Sequence, residues 1–118
     1  MTDIYYLAFA SNQLHDDRVG QTELREVRAR FSYGEEIPDP AEFRRYYRYV
    51  GTEPDADRSA VWEAWNAGSG HESARFEMAR ERSMSVGDVV FENGEAYIVR
   101  PIGWARAPAL DGEAPGAA

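Results

Sequence analysis

The fold is decided by residues 86–100, which read VGDVVFENGEAYIVR. Two runs rich in β-branched and aromatic residues flank Asn93-Gly94, the pair that best tolerates positive φ at both central positions of a type I′ turn. The spacing predicts a β-hairpin, with Val86 to Glu92 as its first strand and Glu95 to Arg100 as its second. No other local pattern in the chain points to one structure so directly.

A further strand is predicted near the start of the chain. Residues from Ile4 to Ser11 form a short apolar run that contains Tyr and Phe and ends at Ser11-Asn12, as a buried strand does. The polar stretch from Gln13 to Gln21 is predicted to be a loop. These assignments give the hairpin a neighbouring strand with which to build a sheet.

The segment from Thr22 to Tyr33 fits two patterns. Leu24, Val27 and Phe31 recur at helical spacing, whereas apolar residues also occupy every other position from Val27 to Tyr33, as in a half-buried strand. We favour a strand in the second half of this segment.

Two helix starts can be read from capping chemistry. Asp39 followed by Pro40 and Glu42 is typical of a capped helix start, although residues 47–50 also alternate like a strand. The clearest helix runs from Asp55 to Ala67, with an aspartate as its cap and an apolar side that faces inward. That side carries three residues: Val61, Trp62 and Trp65.

Length and composition limit the domain organisation. A chain of 118 residues makes one domain, which we assign to residues 1–104. Residues 105–118 are rich in Ala, Pro, Gly and acidic residues and are predicted to be a disordered tail. No cysteine is present, which excludes disulfides and thiolate metal sites. The start lacks the pattern of a signal peptide and the longest apolar run is too short for a membrane span, so we expect a cytoplasmic protein with no membrane partner.

Charge is the most unusual feature of the composition. The 21 acidic residues outnumber 13 basic ones, all of them Arg, and the net charge is −8. A high-salt cytoplasm favours such a surface, while a GC-rich genome also replaces Lys by Arg; we favour a halophilic origin. Phosphates repel a net-negative protein, so binding to nucleic acid is disfavoured except through a local basic patch.

Several segments together resemble a known family. They are Tyr47–Thr52, Trp65-Asn66, Arg82–Val90, Tyr97 and Gly103-Trp104. With its R-S-x-S-V-G-D-V motif, this set is similar to a family of small uncharacterised proteins of phages, plasmids and their actinobacterial or haloarchaeal hosts, and more distantly to YodL-like domains of mobile elements. The resemblance implies a strand at residues 47–52, preceded by a short helix at residues 40–45. It implies no catalytic chemistry.

The segment from Arg82 to Asp88 is the first candidate site. Arg82, Ser83, Ser85 and Asp88 could form a polar recognition loop. The same residue types also suit a turn in which a Gly relieves the backbone and the Asp accepts backbone N–H groups. We favour this structural interpretation.

The segment from Arg44 to Tyr49 is the second candidate site, with Arg44, Arg45, Tyr46 and Arg48 as its binding residues. Arg interleaved with aromatic residues is typical of proteins that bind single-stranded nucleic acid, since guanidinium binds phosphate and rings stack on bases. Alternatively, two of the Tyr pack inward while the Arg pair with the abundant carboxylates.

Metal binding and catalysis find little support. His15-Asp16-Asp17 and His71-Glu72 have suitable ligand chemistry, but nothing in the sequence holds the two groups together. Because no phosphate loop, nucleophile elbow or metalloprotease helix is present, we predict no metal, no cofactor and no enzymatic activity.

Together these patterns predict an α+β fold. A small antiparallel sheet would combine the Ile4 strand, the Tyr47 strand and the hairpin, with one main helix packed on one face. We expect a non-enzymatic accessory protein of a virus or mobile genetic element that acts by protein–protein interaction. The alternatives are a nucleic-acid-related role, by direct binding or by acidic mimicry of DNA, and a small uncharacterised enzyme.

Overall fold

The structure is a computed structural model that describes residues 1–14 and 18–116. Its centre is a five-stranded antiparallel sheet in the order β2-β1-β3-β4-β5. The strands are β1 (Thr2–Leu7), β2 (Tyr47–Glu53), β3 (Val89–Glu92), β4 (Glu95–Val99) and β5 (Trp104–Arg106). Together with several helices, this sheet confirms the predicted α+β class.

Four α-helices connect and cover the strands. They are α1 (Gln21–Arg28), α2 (Pro40–Tyr46), α3 (Arg58–Ala64) and α4 (Ala74–Ala79). A π-helical turn, Ala29–Tyr33, extends α1, and 3₁₀ turns occupy Ser11–Gln13 and Pro108–Glu113. Side-chain oxygens of Asp39, Asp57 and Ser73 cap the three later helices, each accepting a backbone N–H that would otherwise lack a partner.

The hairpin and the α2–β2 junction confirm two predictions. Asn93 has φ 50° and Gly94 has φ 85°, so both central turn residues adopt the left-handed conformation of a type I′ turn. At α2, the N–H of Glu42 donates to Asp39 Oδ1 at 2.8 Å and the N–H of Asp39 donates to Glu42 Oε1 at 3.0 Å. This reciprocal capping box starts a helix at residue 40, and the strand follows directly.

Both faces of the sheet are buried. Successive side chains of a strand point to opposite faces: Ile4 and Tyr6 of β1 belong to one apolar cluster, and Tyr5 and Leu7 pack in another. The first cluster contains Val61 of α3, Trp65, just after α3, and Phe76 of α4, so α3 packs on one face as predicted. Trp62, predicted on the same inward side, is instead 38% exposed. The other face is covered by residues of α1, α2 and the C-terminal segment, a second layer that the sequence did not indicate.

The strand predicted in the second half of residues 22–33 is wrong. The segment is helical throughout, with Leu24, Val27 and Phe31 buried. Ala29 and Tyr33, which completed the strand-like alternation, are exposed. Helical periodicity is the correct pattern because it places Leu24, Val27 and Phe31 together on the covered side.

The predicted disordered tail also differs from the structure. Residues 104–106 form β5, and Leu110 of the following 3₁₀ turn is fully buried. The N–H of Ala107 donates to Ala96 O at 2.9 Å, and the N–H of Ala96 donates to Asp111 Oδ1 at 2.8 Å. A few apolar residues and paired backbone groups therefore fix this segment against β4, and the domain extends beyond residue 104; residues 117–118 lie outside the described part.

Candidate functional site

Asp88 is the centre of the first candidate site and is completely buried. Its carboxylate accepts the N–H of Leu7 at 2.9 Å and the N–H of Ser85 at 2.8 Å. Arg82 donates to its two oxygens at 2.7 and 2.9 Å. Both oxygens are thus occupied by groups of the same domain, and Asp88 ties the loop to the end of β1.

Arg82 points inward to meet this carboxylate. It also donates to Leu7 O at 2.9 Å, and its guanidinium lies 4.1 Å from the centre of the Tyr6 ring and 3.9 Å from that of Phe9. Burial raises the pKa of the Asp88 carboxyl, while the Arg82 guanidinium opposes that rise. The guanidinium, the carboxylate and the two rings form a closed cluster that fixes residues 82–88 to the end of β1; we call this cluster the joint.

Other residues of the 82–88 loop also stabilise the joint. Ser83 Oγ accepts the N–H of Ala67 at 2.9 Å, whereas Ser85 takes part through its backbone. Gly87 has φ 96°, and a Cβ there would lie 2.9 Å from Phe31 O, so only Gly fits this approach. These contacts support the structural interpretation of residues 82–88.

Two buried tyrosines, Tyr6 and Tyr47, stabilise the joint through hydrogen bonds to backbone carbonyls of residues 82 and 87. Tyr6 donates its hydroxyl proton to Arg82 O at 2.9 Å, and Tyr47 donates to Gly87 O at 2.7 Å. Burial, followed by the nearby charge of Asp88, raises the pKa of Tyr6 and of Tyr47. Both hydroxyls therefore stay protonated donors at neutral pH.

The second candidate site lies where α2 passes into β2. Arg44 pairs with Glu113, Arg45 with Glu23 and Arg48 with Glu81. The hydroxyl of Tyr46 also donates to Glu23. The arginines thus pair with carboxylates, as the alternative interpretation expected.

Tyrosines of this segment point in different directions. Tyr47 is buried and stacks on Phe43 with ring centres 5.2 Å apart, and Tyr46 is half-buried. Tyr49 is 52% exposed. One ring of the three therefore remains open to an external partner.

The three arginines border one cavity of about 680 Å³. Its lining consists of Leu14, Ala41, Arg44, Arg45, Tyr47, Arg48 and Tyr49. Tyr47, Arg48 and Tyr49 are consecutive, and consecutive strand residues point to opposite faces. A cavity that contacts all three lies against the outer edge of β2, and no carboxylate is among these lining residues.

A second cavity, of about 530 Å³, continues along the same strand. Its lining consists of Tyr49, Val50, Gly51, Thr52, Pro54, Trp65, Arg75, Met78 and Ala79. It shares Tyr49 with the first cavity and again contacts consecutive β2 residues. We call the two together the edge groove, the first cavity being its basic half and the second its apolar half.

The backbone of β2 borders the edge groove. β2 is the outermost strand beside β1. The N–H of Tyr47 donates to Phe43 O of α2, and across residues 1–14 and 18–116 no other backbone group of β2 bonds to an element other than β1. The register shifts opposite Ile4 and Tyr5, which leaves Val50 as a bulge. At Gly51 an added Cβ would lie 2.6 Å from the Trp65 ring, so the strand is pressed onto that indole.

The apolar half of the groove was not predicted from the sequence. Met78 is 82% exposed and lies on α4, a helix for which no pattern was recognised. Trp65 was predicted as a core residue and is buried. Met78 and Trp65 come together because both lie beside β2 at the edge of the sheet. That position follows from strand order, which no local motif encodes.

The predicted metal-ligand groups do not come together in the described structure. His15, Asp16 and Asp17 lie outside the described residues. Glu72 accepts the hydroxyl of Ser69 at 2.9 Å, a bond that is the main cause of its lowered pKa, and also the N–H of Gly70 at 2.6 Å. Within the described ranges, no group of three or more His, Asp or Glu could hold a metal ion, and no helix has the length and apolarity to cross a membrane.

No protein-family model, curated protein or solved structure matches this chain. The resemblance through the R-S-x-S-V-G-D-V motif accordingly stays a prediction. The same residues have a local explanation, because the motif contains Arg82, Ser83, Gly87 and Asp88, which build the joint between the loop and β1. Any functional conclusion rests on the geometry of the edge groove.

Proposed function

We propose that this protein is a non-enzymatic binding module that holds an extended segment of a partner protein in the edge groove. The observation that carries the proposal is the outer edge of β2, which beyond Tyr47 has no backbone partner among the described residues and is bordered by two adjoining cavities. Addition of an extended peptide to a sheet edge is a recurring mode of recognition, in which the backbone supplies affinity and pockets supply specificity.

The lining of the groove supports a protein partner. Arg and Tyr are enriched at protein interfaces, where they combine large contact areas with hydrogen bonding. The Arg44 side chain is 61% exposed, and Tyr49 stands at the boundary of the two halves. A partner segment could contact both without any rearrangement of the core.

Enzymatic chemistry finds less support. Asp88, whose carboxylate is completely buried, has both oxygens bonded within the domain. Tyr6 and Tyr47 are likewise committed to backbone carbonyls. These groups are explained by the joint between β1 and the loop, so they offer no free acid or base to a substrate. The accessory role in a virus or mobile element, and the cytoplasmic location, stay predictions.

The test is a pull-down of the tagged protein from host lysate with and without nuclease. We expect a protein partner that survives nuclease. Replacing Met78 by Asp should abolish its capture, while Ile102→Asp should not, because Ile102, at 95% exposed against 82% for Met78, lies outside the groove. Material that disappears on nuclease treatment, or capture that both variants retain, would contradict the proposal.

A further inference from the structure

The two halves of the edge groove differ in charge. Among the described residues, the lining of the basic half contains three guanidinium groups and no carboxylate. Each guanidinium pairs with a carboxylate outside that lining, namely Glu113, Glu23 or Glu81. In the apolar half, Val50, Pro54 and Met78 lie beside the buried Trp65, and Arg75 Nη1 lies 3.5 Å from Glu53 Oε1. The groove therefore presents guanidinium donors at one end of β2 and the exposed thioether side chain of Met78 at the other.

Resting on the proposed function, we propose that the partner segment is acidic at the end next to α2 and apolar at the end next to α4. Charge-assisted hydrogen bonding places a carboxylate of the partner beside Arg44, whose side chain is 61% exposed. The apolar half offers Met78, an exposed and adaptable side chain, beside Pro54, and such a surface favours an aliphatic or aromatic anchor.

Arg44 is the residue best placed to bind an incoming carboxylate. It pairs with Glu113 through Nη1, and its Nε and Nη2 have no partner among the described residues. A guanidinium offers five N–H donors in a fixed fork, so Arg44 can hold Glu113 and a second carboxylate at once. Arg48 is instead held by Glu81 through both Nη1 and Nη2, so Arg44 is the guanidinium of this segment with donors left for a partner.

A nucleic acid fits the groove less well. Binding of single strands uses successive exposed rings on which successive bases stack, whereas Tyr49 is the exposed ring of this segment and Tyr47 is stacked inside the core. A uniform chain of phosphates would also leave the apolar half without complementary charge. The change of character along β2 suits a peptide whose residues differ from one end to the other.

The test uses peptides of 7 residues, the length of β2. Two peptides combine glutamates at one end with valine and leucine at the other, in opposite chain directions, and matched peptides carry glutamine in place of glutamate. Binding is followed by amide shifts in NMR spectra of the whole protein. We expect one acidic peptide to shift residues 47–53, and its glutamine counterpart to bind about tenfold more weakly.

Variants locate the charge effect. Arg44→Ala should weaken the acidic peptide but not its glutamine counterpart, and Arg25→Ala, at an exposed position of α1 outside the groove lining, should change neither. Equal binding of acidic and glutamine peptides, tighter binding of an oligothymidylate of equal charge, or no binding of either acidic peptide would overturn the proposal. A lysate partner captured through Met78 but lacking an acidic segment would overturn this inference alone and leave the binding function standing.

Discussion

At the scale of single residues, the Asp88–Arg82 pair shows how a buried charge is retained. Asp88 is fully buried, and taking a carboxylate out of water is costly unless it is paired and hydrogen-bonded. Four hydrogen bonds from Leu7, Ser85 and Arg82 meet that requirement. The pair also joins β1 to a loop far along the chain, so its loss should be felt by the whole domain.

We predict that Asp88→Asn lowers the free energy of unfolding by about 3 kcal/mol, because it leaves Arg82 without its counter-charge in a largely buried site. Urea denaturation followed by tryptophan fluorescence measures this, since Trp65 is buried. Glu95→Gln is the control: Glu95 pairs with Arg106 at 3.3 Å but its side chain is 58% exposed, and a pair of this kind contributes less than about 1 kcal/mol. Equal effects of the two variants would contradict the prediction.

The buried tyrosines predict loss of stability in alkali. The pKa values of Tyr6 and Tyr47 are raised above the ordinary value of 10.0. Above that pH the unfolded chain releases protons that the folded protein retains, so the free energy of unfolding falls as pH rises, by about 1.4 kcal/mol per pH unit for each tyrosine. Below pH 10 this contribution is fully present.

Denaturation curves at a series of alkaline pH values measure the slope. Tyr6→Phe and Tyr47→Phe should each reduce it by the share of one tyrosine. Tyr33→Phe, at a residue that is 78% exposed, should leave it unchanged. A slope that is the same in all variants would show that other groups control alkaline unfolding.

At the scale of elements, sequence could predict those whose signals are local. The hairpin follows from Asn93-Gly94, and α2 follows from the Asp39–Glu42 capping box, since turn and cap chemistry act over a few residues. The segment after Thr22 carried two periodicities, and only its burial against the sheet distinguishes them. The structural role of residues 82–88 could likewise be predicted, because Gly and Asp have ordinary uses in turns.

The edge groove could not be predicted in this way. Arg44, Arg45 and Arg48 were recognised, but their acidic partners come from distant segments: Glu23, Glu81 and Glu113. The groove exists because β2 is the last strand of the sheet and α4 lies beside it. Strand order depends on long-range pairing, and no motif in this sequence encodes it.

The C-terminal segment makes a prediction at the same scale. Leu110 is fully buried against the cluster that contains Phe91 and Ile98, so Leu110→Ala should lower the free energy of unfolding by about 3 kcal/mol through lost contacts and a cavity. Ile102→Ala, at a 95% exposed side chain, should change it by less than about 0.5 kcal/mol. Thermal or urea denaturation of the two variants compares them directly, and a silent Leu110 variant would restore the disordered tail predicted from composition.

At the scale of the whole molecule, acidic surface and basic groove have to be considered together. The net charge is −8, yet among the described residues the lining of the basic half contains three guanidinium groups, whose paired carboxylates lie outside that lining. Long-range repulsion keeps such a protein apart from nucleic acid and other polyanions, while a short peptide can approach a local positive site. The net negative charge thus disfavours binding of polyanions, while the guanidinium groups of the groove attract a short segment locally.

The same charge distribution predicts how the fold responds to salt. Repulsion among unpaired surface carboxylates acts over distances comparable with the Debye length, about 10 Å at 0.1 M salt, and is screened readily. Pairs such as Arg82–Asp88 and Arg48–Glu81 are mostly buried and are screened much less. Added KCl should therefore remove more repulsion than attraction, and the Tm should rise.

Circular dichroism melts in low salt and in increasing KCl measure this response. A rising Tm that continues into molar KCl would agree with the halophilic origin favoured from the composition. A rise that ends once the Debye length falls below the spacing of surface charges would reflect simple screening of the net charge and would argue against that origin. A Tm that falls as KCl increases would contradict the prediction itself, because it would mean that exposed ion pairs, such as Arg44–Glu113, stabilise this fold more than carboxylate repulsion destabilises it.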